Sequence, residues 1–153
     1  MAVDLREDPN AALGGYTETI VIISSAQILA MGDNPIELLP PVGGDTYYDY
    51  YGIIEFVGEN TGYTLEDDIV LGSYSTFGGC FIGANFLMGT SYKVFFFDNR
   101  NKGQESGVNA VQVGYYLPVN ESISLFTYNS VNPAFGDGTL RVKIYHKTIT
   151  FGA

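Results

Sequence analysis

Residues 139–151 read TLRVKIYHKTITF, and the reading of this stretch decides the fold. Leu140, Val142 and Ile144 alternate with Arg141, Lys143 and Tyr145. A period of two puts one set of side chains against a core and the other on the outside of a sheet. Immediately before it, residues 132–138 (NPAFGDG) contain Asn-Pro and Asp-Gly steps, which favour tight reversals. A loop followed by a long, half-buried strand is therefore expected at this end of the chain.

The same period recurs upstream. After a turn at Pro41–Asp45, Tyr48, Tyr50, Ile54 and Phe56 fall on one face of a strand, and Tyr47, Asp49, Tyr51 and Glu55 on the other. Thr17–Ile23 reads as a first strand. Pro35–Pro40 reads as a short strand bracketed by prolines, which suits the edge of a sheet. Ile69–Leu71 and Tyr92–Phe97 are apolar on both faces, as expected of strands covered on both sides. Val111, Val113, Tyr115 and Leu117 alternate in a further strand, and Ile123, Leu125 and Thr127 in another. Between the first two strands, Ser24 and Gln27 have capping-box spacing for a short helix through Met31, closed by Gly32 in a left-handed conformation. Continuation of the strand is the competing reading there. Strands spaced about 8 to 15 residues apart, with no long amphipathic helix between them, predict an all-β, antiparallel β-sandwich of jelly-roll type.

Residues 1–15 read as an extended N-terminal arm, and 16–153 as a single β-sandwich domain. The arm mixes charges, carries Pro9 and ends at Gly14-Gly15. It is either a frayed tail or a segment that orders against a neighbour.

Composition narrows the function. Charged residues are 16% of the chain against about 25% in ordinary soluble domains, while 12 Tyr, 10 Phe and 19 Gly favour β-structure. The net charge of −10 argues against nucleic-acid binding, which needs a basic surface. One cysteine, Cys80, forms no intrachain disulfide, and the N-terminus has no apolar signal-peptide region. Synthesis in a cytoplasm and no membrane span are the expectations. The cations are segregated: from Glu7 to Tyr92 there are 12 acids and no Lys or Arg, whereas residues 139–151 hold Arg141, Lys143, His146 and Lys147 and no acid.

No catalytic constellation emerges. His146 is the single histidine, and no nucleophile elbow or oxyanion glycine motif accompanies it. Cys80 lies between Gly79 and Phe81, as a small core residue would. Glu66-Asp67-Asp68 is the densest acid cluster. It lacks EF-hand spacing and reads as a solvated loop more readily than as a calcium site. An enzyme is not expected, nor a cofactor or metal. Two surface readings stay open. Tyr47 and Tyr51 with Asp49 form a candidate sugar-stacking platform, although a tyrosine-rich protein contact explains them as well. Arg141, Lys143, Tyr145 and Lys147 form a candidate contact strip. As edge charges they would block stray strand addition; as a positive stripe they would complement acidic neighbours.

Two segments carry a resemblance. Residues 132–145 (NPAFGDGTLRVKIY) resemble the closing loop and strand of small virion proteins of tailed bacteriophages, including crAss-like phages. SAQIL at 25–29, followed by PIELLP at 35–40 and a Gly-rich turn, resembles the opening of the same proteins. Together they span about a quarter of the chain. The resemblance implies a capsid auxiliary or decoration protein, or a head-fibre subunit. It implies a homotrimer whose partners are itself and the major capsid protein or other virion proteins, located in the virion. It brings no catalytic residues. A carbohydrate- or receptor-binding module is the alternative function.

Overall fold

The computed structural model describes residues 14–75, 78–99 and 119–150. Among them the chain forms β1 (Thr17–Ile23), a one-turn helix α1 (Ser25–Leu29), β2 (Ile36–Leu39), β3 (Thr46–Val57), β4 (Ile69–Ser73), β5 (Gly78–Ile82), β6 (Lys93–Asp98), β7 (Ile123–Thr127) and β8 (Thr139–Thr150). The expected strand Val111–Leu117 and nearly all of the expected arm lie outside the described residues.

The strands make two four-stranded sheets, β1-β8-β3-β6 and β2-β7-β4-β5, and every ladder is antiparallel. β1 pairs with β8, β2 with β7, β3 with β6 and β4 with β5. The chain is thus one long nested hairpin. Further ladders, β3 with β8 and β4 with β7, close each sheet after the hairpin is rolled over itself. That winding is the jelly roll. The proline-bracketed β2 is an edge strand, as its sequence predicts.

The core lies between the sheets. Tyr48, Tyr50, Ile54 and Phe56 of β3 and Leu140, Val142 and Ile144 of β8 meet Leu39, Ile69, Leu71, Ile123 and Leu125 from the other sheet. Where β6 ends, the buried Asn99 continues its ladder. Its Oδ1 accepts from the Tyr50 amide at 3.2 Å and its Nδ2 donates to the Tyr48 carbonyl at 2.9 Å. These bonds satisfy two backbone groups that would otherwise be buried without partners.

The sheets differ in how they are covered. Val70 and Phe126 point away from the sandwich interior yet are 0% exposed, so the central strands β4 and β7 of the β2-β7-β4-β5 sheet are buried on both faces. This bears out the doubly apolar reading of β4. The same reading of β6 is wrong. β6 is the edge of its sheet, and Val94 and Phe96 stand on its outer face in solvent, with Phe96 73% exposed.

The connections also correct the sequence reading. Ser24 and Gln27 form the expected capping box: the Gln27 amide donates to Ser24 Oγ and the Ser24 amide to Gln27 Oε1. Gly32, however, is not among the glycines with positive φ. It is glycine for closeness: a Cβ there would stand 2.6 Å from the backbone of Val131 and Asn132. Residues 132–138 make one tight reversal, at Phe135, where the Gly136 amide donates to the Ala134 carbonyl at 3.1 Å; the rest of the segment crosses from the β7 sheet to the β8 sheet, pinned along its length. Asn132 Oδ1 accepts from the Gly32 and Asp33 amides, and the Thr64 and Ala134 backbones exchange hydrogen bonds of 2.8 and 2.9 Å. Asp137 accepts from the amides of Asn60 and Thr61, and these bonds hold its carboxyl below the usual range. Tyr63 donates its hydroxyl to the Gly138 carbonyl at 2.5 Å. Its phenol is pushed up to about 12, first by burial and then by the Asp137 and Glu59 charges.

At one end of the sandwich, between the edge strands β5 and β6, Lys93 turns inward. Its ammonium donates to the carbonyls of Asn85, Phe86 and Met88, where the short 3-10 turn Ala84–Phe86 ends, and it lies 5.7 Å from the Phe56 ring centroid. A cation there satisfies the carbonyls that a helical turn leaves unpaired.

Gly136 lies flat on Tyr63: a Cβ there would stand 2.2–2.4 Å from three ring carbons. Gly136→Ala should therefore destabilise the fold by about 1–3 kcal/mol through overpacking. Urea unfolding should show a lower midpoint with an unchanged slope.

Candidate interaction surface

The outer face of the β1-β8-β3-β6 sheet is set by register. Ile22, Arg141, Glu55 and Val94 lie side by side across the four strands, and Ile20, Lys143, Ile53 and Phe96 form the next row. Glu18, Tyr145, Tyr51 and Asp98 follow. In the first two rows, cations on the central β8 stand between apolar side chains on both edge strands. Ile22 is 64% exposed, and Val57 and Tyr92 extend the apolar area at the β3–β6 end. A patch of this kind on a single face is the usual mark of a protein contact.

The predicted strip is therefore outward-facing, as expected, but its members differ. Arg141 is exposed and Lys143 half-buried, both among aliphatic neighbours. Tyr145 is stacked on Tyr51, centroids 5.1 Å apart and planes 24° apart. Its phenol is raised by its hydrogen bond to Glu18, then by burial and by the Glu18 and Tyr51 charges. Lys147 sits 4.6 Å over the Tyr16 ring, beside Asp49 on β3. Arg141 and Lys147 thus have acids of their own chain opposite them, Glu55 and Asp49.

Tyr16 alters the second set of candidates. It folds over the outer face, buried, and donates to Asp49 Oδ2 at 2.5 Å while meeting Tyr51 edge-on at 5.1 Å. The other oxygen, Asp49 Oδ1, is buried with no hydrogen-bond partner among the described residues. Tyr47 and Tyr51 do point outward, as their spacing requires. Yet Tyr51 gives one face to Tyr145 and meets Tyr16, and Asp49 is covered, so the three do not form an open stacking surface.

The remaining sequence candidates have local tasks. Cys80 is half-buried against the core. Asp67 accepts from the amides of Asp68 and Asn129, and Asp68 from the amide of Ala84, so these acids clamp loops. Among the described residues no three His, Cys, Asp or Glu side chains gather as a metal site. His146 faces the sandwich side of β8, its Nε2 2.8 Å from Thr19 Oγ1 and its ring edge-on to Tyr48.

Sequence reasoning missed Ile20, Ile22, Val94, Phe96 and Phe135. The signal for the first four was an apolar run on both faces of strands that prove to be edges. Phe135 is a different case: its φ is +71° and its side chain 79% exposed. A bulky residue in the left-handed region costs about 1–2 kcal/mol.

No family model, curated protein or solved structure matches this chain.

Burial lowers the His146 pKa. A histidine whose folded pKa lies below its unfolded value of about 6.5 contributes stability above that pH and loses it as pH falls through the folded value. Melting temperature should fall between pH 7 and 5.5, and His146→Gln should flatten that part of the profile. Thermal melts of both chains across this range check it.

Proposed function

We propose that this chain is a non-enzymatic structural protein of a tailed-phage virion, an auxiliary, decoration or head-fibre subunit that assembles with its own copies and with the capsid shell. The observation that carries the reading is the open face of the β1-β8-β3-β6 sheet, where Ile20, Ile22, Val94 and Phe96 surround Arg141 and Lys143. A sheet face that leaves aliphatic and aromatic side chains of this size in solvent is suited to being covered by protein. Burial would supply the binding energy, and the embedded charges would set the register. The jelly roll is an architecture that viral capsid proteins use, which agrees with the resemblance of the two terminal segments. Fold alone does not assign function.

A carbohydrate-binding module is less favoured. Its platform would be Tyr47, Tyr51 and Asp49, and the own-chain Tyr16 occupies the space above the last two.

Light scattering of the purified chain should give an oligomer, a trimer being the expected size. Arg141→Glu with Lys143→Glu should weaken association about tenfold or more, and the loss should shrink at high salt. The chain should also co-sediment with empty shells of its phage's major capsid protein. A salt-insensitive monomer that ignores those shells would sink the reading.

A further inference from the structure

We propose that the Phe135 loop of one copy docks on the open face of the β1-β8-β3-β6 sheet of the next copy. The proposal rests on the assembly reading above and names the two surfaces that meet.

Phe135 combines two properties that its own chain does not explain. Its backbone is left-handed, a conformation glycine would adopt without strain, and its ring is 79% exposed. The position thus keeps a strained phenylalanine whose ring is spent on little in its own fold. Strain of this kind persists where the surroundings over-determine it, and it clusters at functional contacts. The surroundings here do so. Ala134 is bridged to Thr64, Gly136 lies on the Tyr63 ring, Asn132 holds Gly32 and Asp33, and Asp137 holds Asn60 and Thr61. The ring is presented on a fixed backbone, so little loop ordering would oppose its binding.

Charge selects the partner. The Phe135 loop is ringed by acids: Asp137 within it, Asp33 hydrogen-bonded to Asn132, and Glu59, whose charge reaches Tyr63 beneath the loop. An aromatic knob in an acidic ring fits an apolar surface carrying cations. Of the cations among the described residues, Lys93 is enclosed by carbonyls and Lys147 lies over Tyr16. Arg141 and Lys143 remain; Arg141 faces Glu55 across the ladder, while Lys143 stands between Ile20 and Ile53 with Ile22, Val94 and Phe96 around it, so Lys143 is the cation the acidic ring meets. Knob on one copy and face on the next make a head-to-tail contact, the kind that closes into rings.

The test uses the full chain, with Phe135→Gly to remove the knob and Phe96→Asp to spoil the face. Each variant alone should sediment as a monomer under conditions where the unaltered chain is an oligomer. Phe135→Gly should melt about 2–4 °C above Phe135→Ala, because both lack the ring and glycine alone relieves the backbone. Mixed in equal amounts, Phe135→Gly and Phe96→Asp should form a one-to-one dimer, since one retains the face and the other the knob. Phe135→Gly that keeps the oligomeric mass, or a mixture that stays monomeric, overturns the proposal while leaving assembly itself intact. An unaltered chain that is monomeric at every concentration overturns the assembly reading and this proposal together.

Discussion

β3 and β8 pair along their whole length, from Thr46 opposite Thr150 to Val57 opposite Thr139, and this ladder fixes what every other strand has to cover. Twelve consecutive residues on each strand alternate between two faces, so neither strand can slip by one position without turning its core residues out. Phe56 and Leu140 face the second sheet together, while Glu55 and Arg141 face away together. β1 and β6 then add to the two free edges of the pair. Gly52 shows how close the fit is at the middle of the ladder: a Cβ there would stand 2.1 Å from the Lys143 carbonyl oxygen and 2.7 Å from the Phe97 ring. The absence of a side chain lets β8, β3 and β6 pack at that point.

From this ladder the molecule acquires a front and a back. One sheet is buried on both sides along its central strands, at Val70 and Phe126, while the other turns a face of mixed aliphatic, aromatic and charged side chains outward. The cations follow from the same alternation, since Arg141, Lys143 and Lys147 occupy the odd positions of β8 whose even neighbours are core. Glu55 and Asp49 oppose two of them across the ladder. The segregation of charge along the sequence is therefore partly balanced in space by β3.

The long alternating strands were legible in the sequence because their periodicity is complete: β3 and β8 each carry enough inward residues to define a face. Ser24 and Gln27 announced α1 for a similar reason, a specific pair at a specific spacing. β5 was not legible. Its sequence, GGCFI, offers three side chains and begins with two glycines, one of which is required because a Cβ on Gly79 would stand 2.3 Å from the Leu71 carbonyl oxygen. A requirement of that kind comes from the partner strand and leaves no local pattern. The outward exposure of β6 was hidden for the opposite reason: a doubly apolar strand looks alike whether its second face meets its own chain or another. Tyr16 could not be placed over Asp49 from sequence, because 33 residues separate them and no periodicity links them. The loop at 132–138 has the composition of a turn, but its Asn, Gly and Asp act as clamps to distant segments.

Lys93 has a consequence for how the end of the sandwich is closed. Three carbonyl oxygens surround its ammonium, from Asn85, Phe86 and Met88, in the manner of a coordination shell around a small cation. Here the cation is tethered to β6 by its own side chain. It cannot diffuse away or be removed by a chelator, so the loop always has its cation within reach. The loop it gathers, which also meets the 58–62 loop through Gly62 and Gly89, is thereby keyed to the edge of the sheet. A change of rotamer at Lys93 would release that loop with β6 still in its ladder with β3, so the side chain works as a latch between the end of the sandwich and the edge of the sheet.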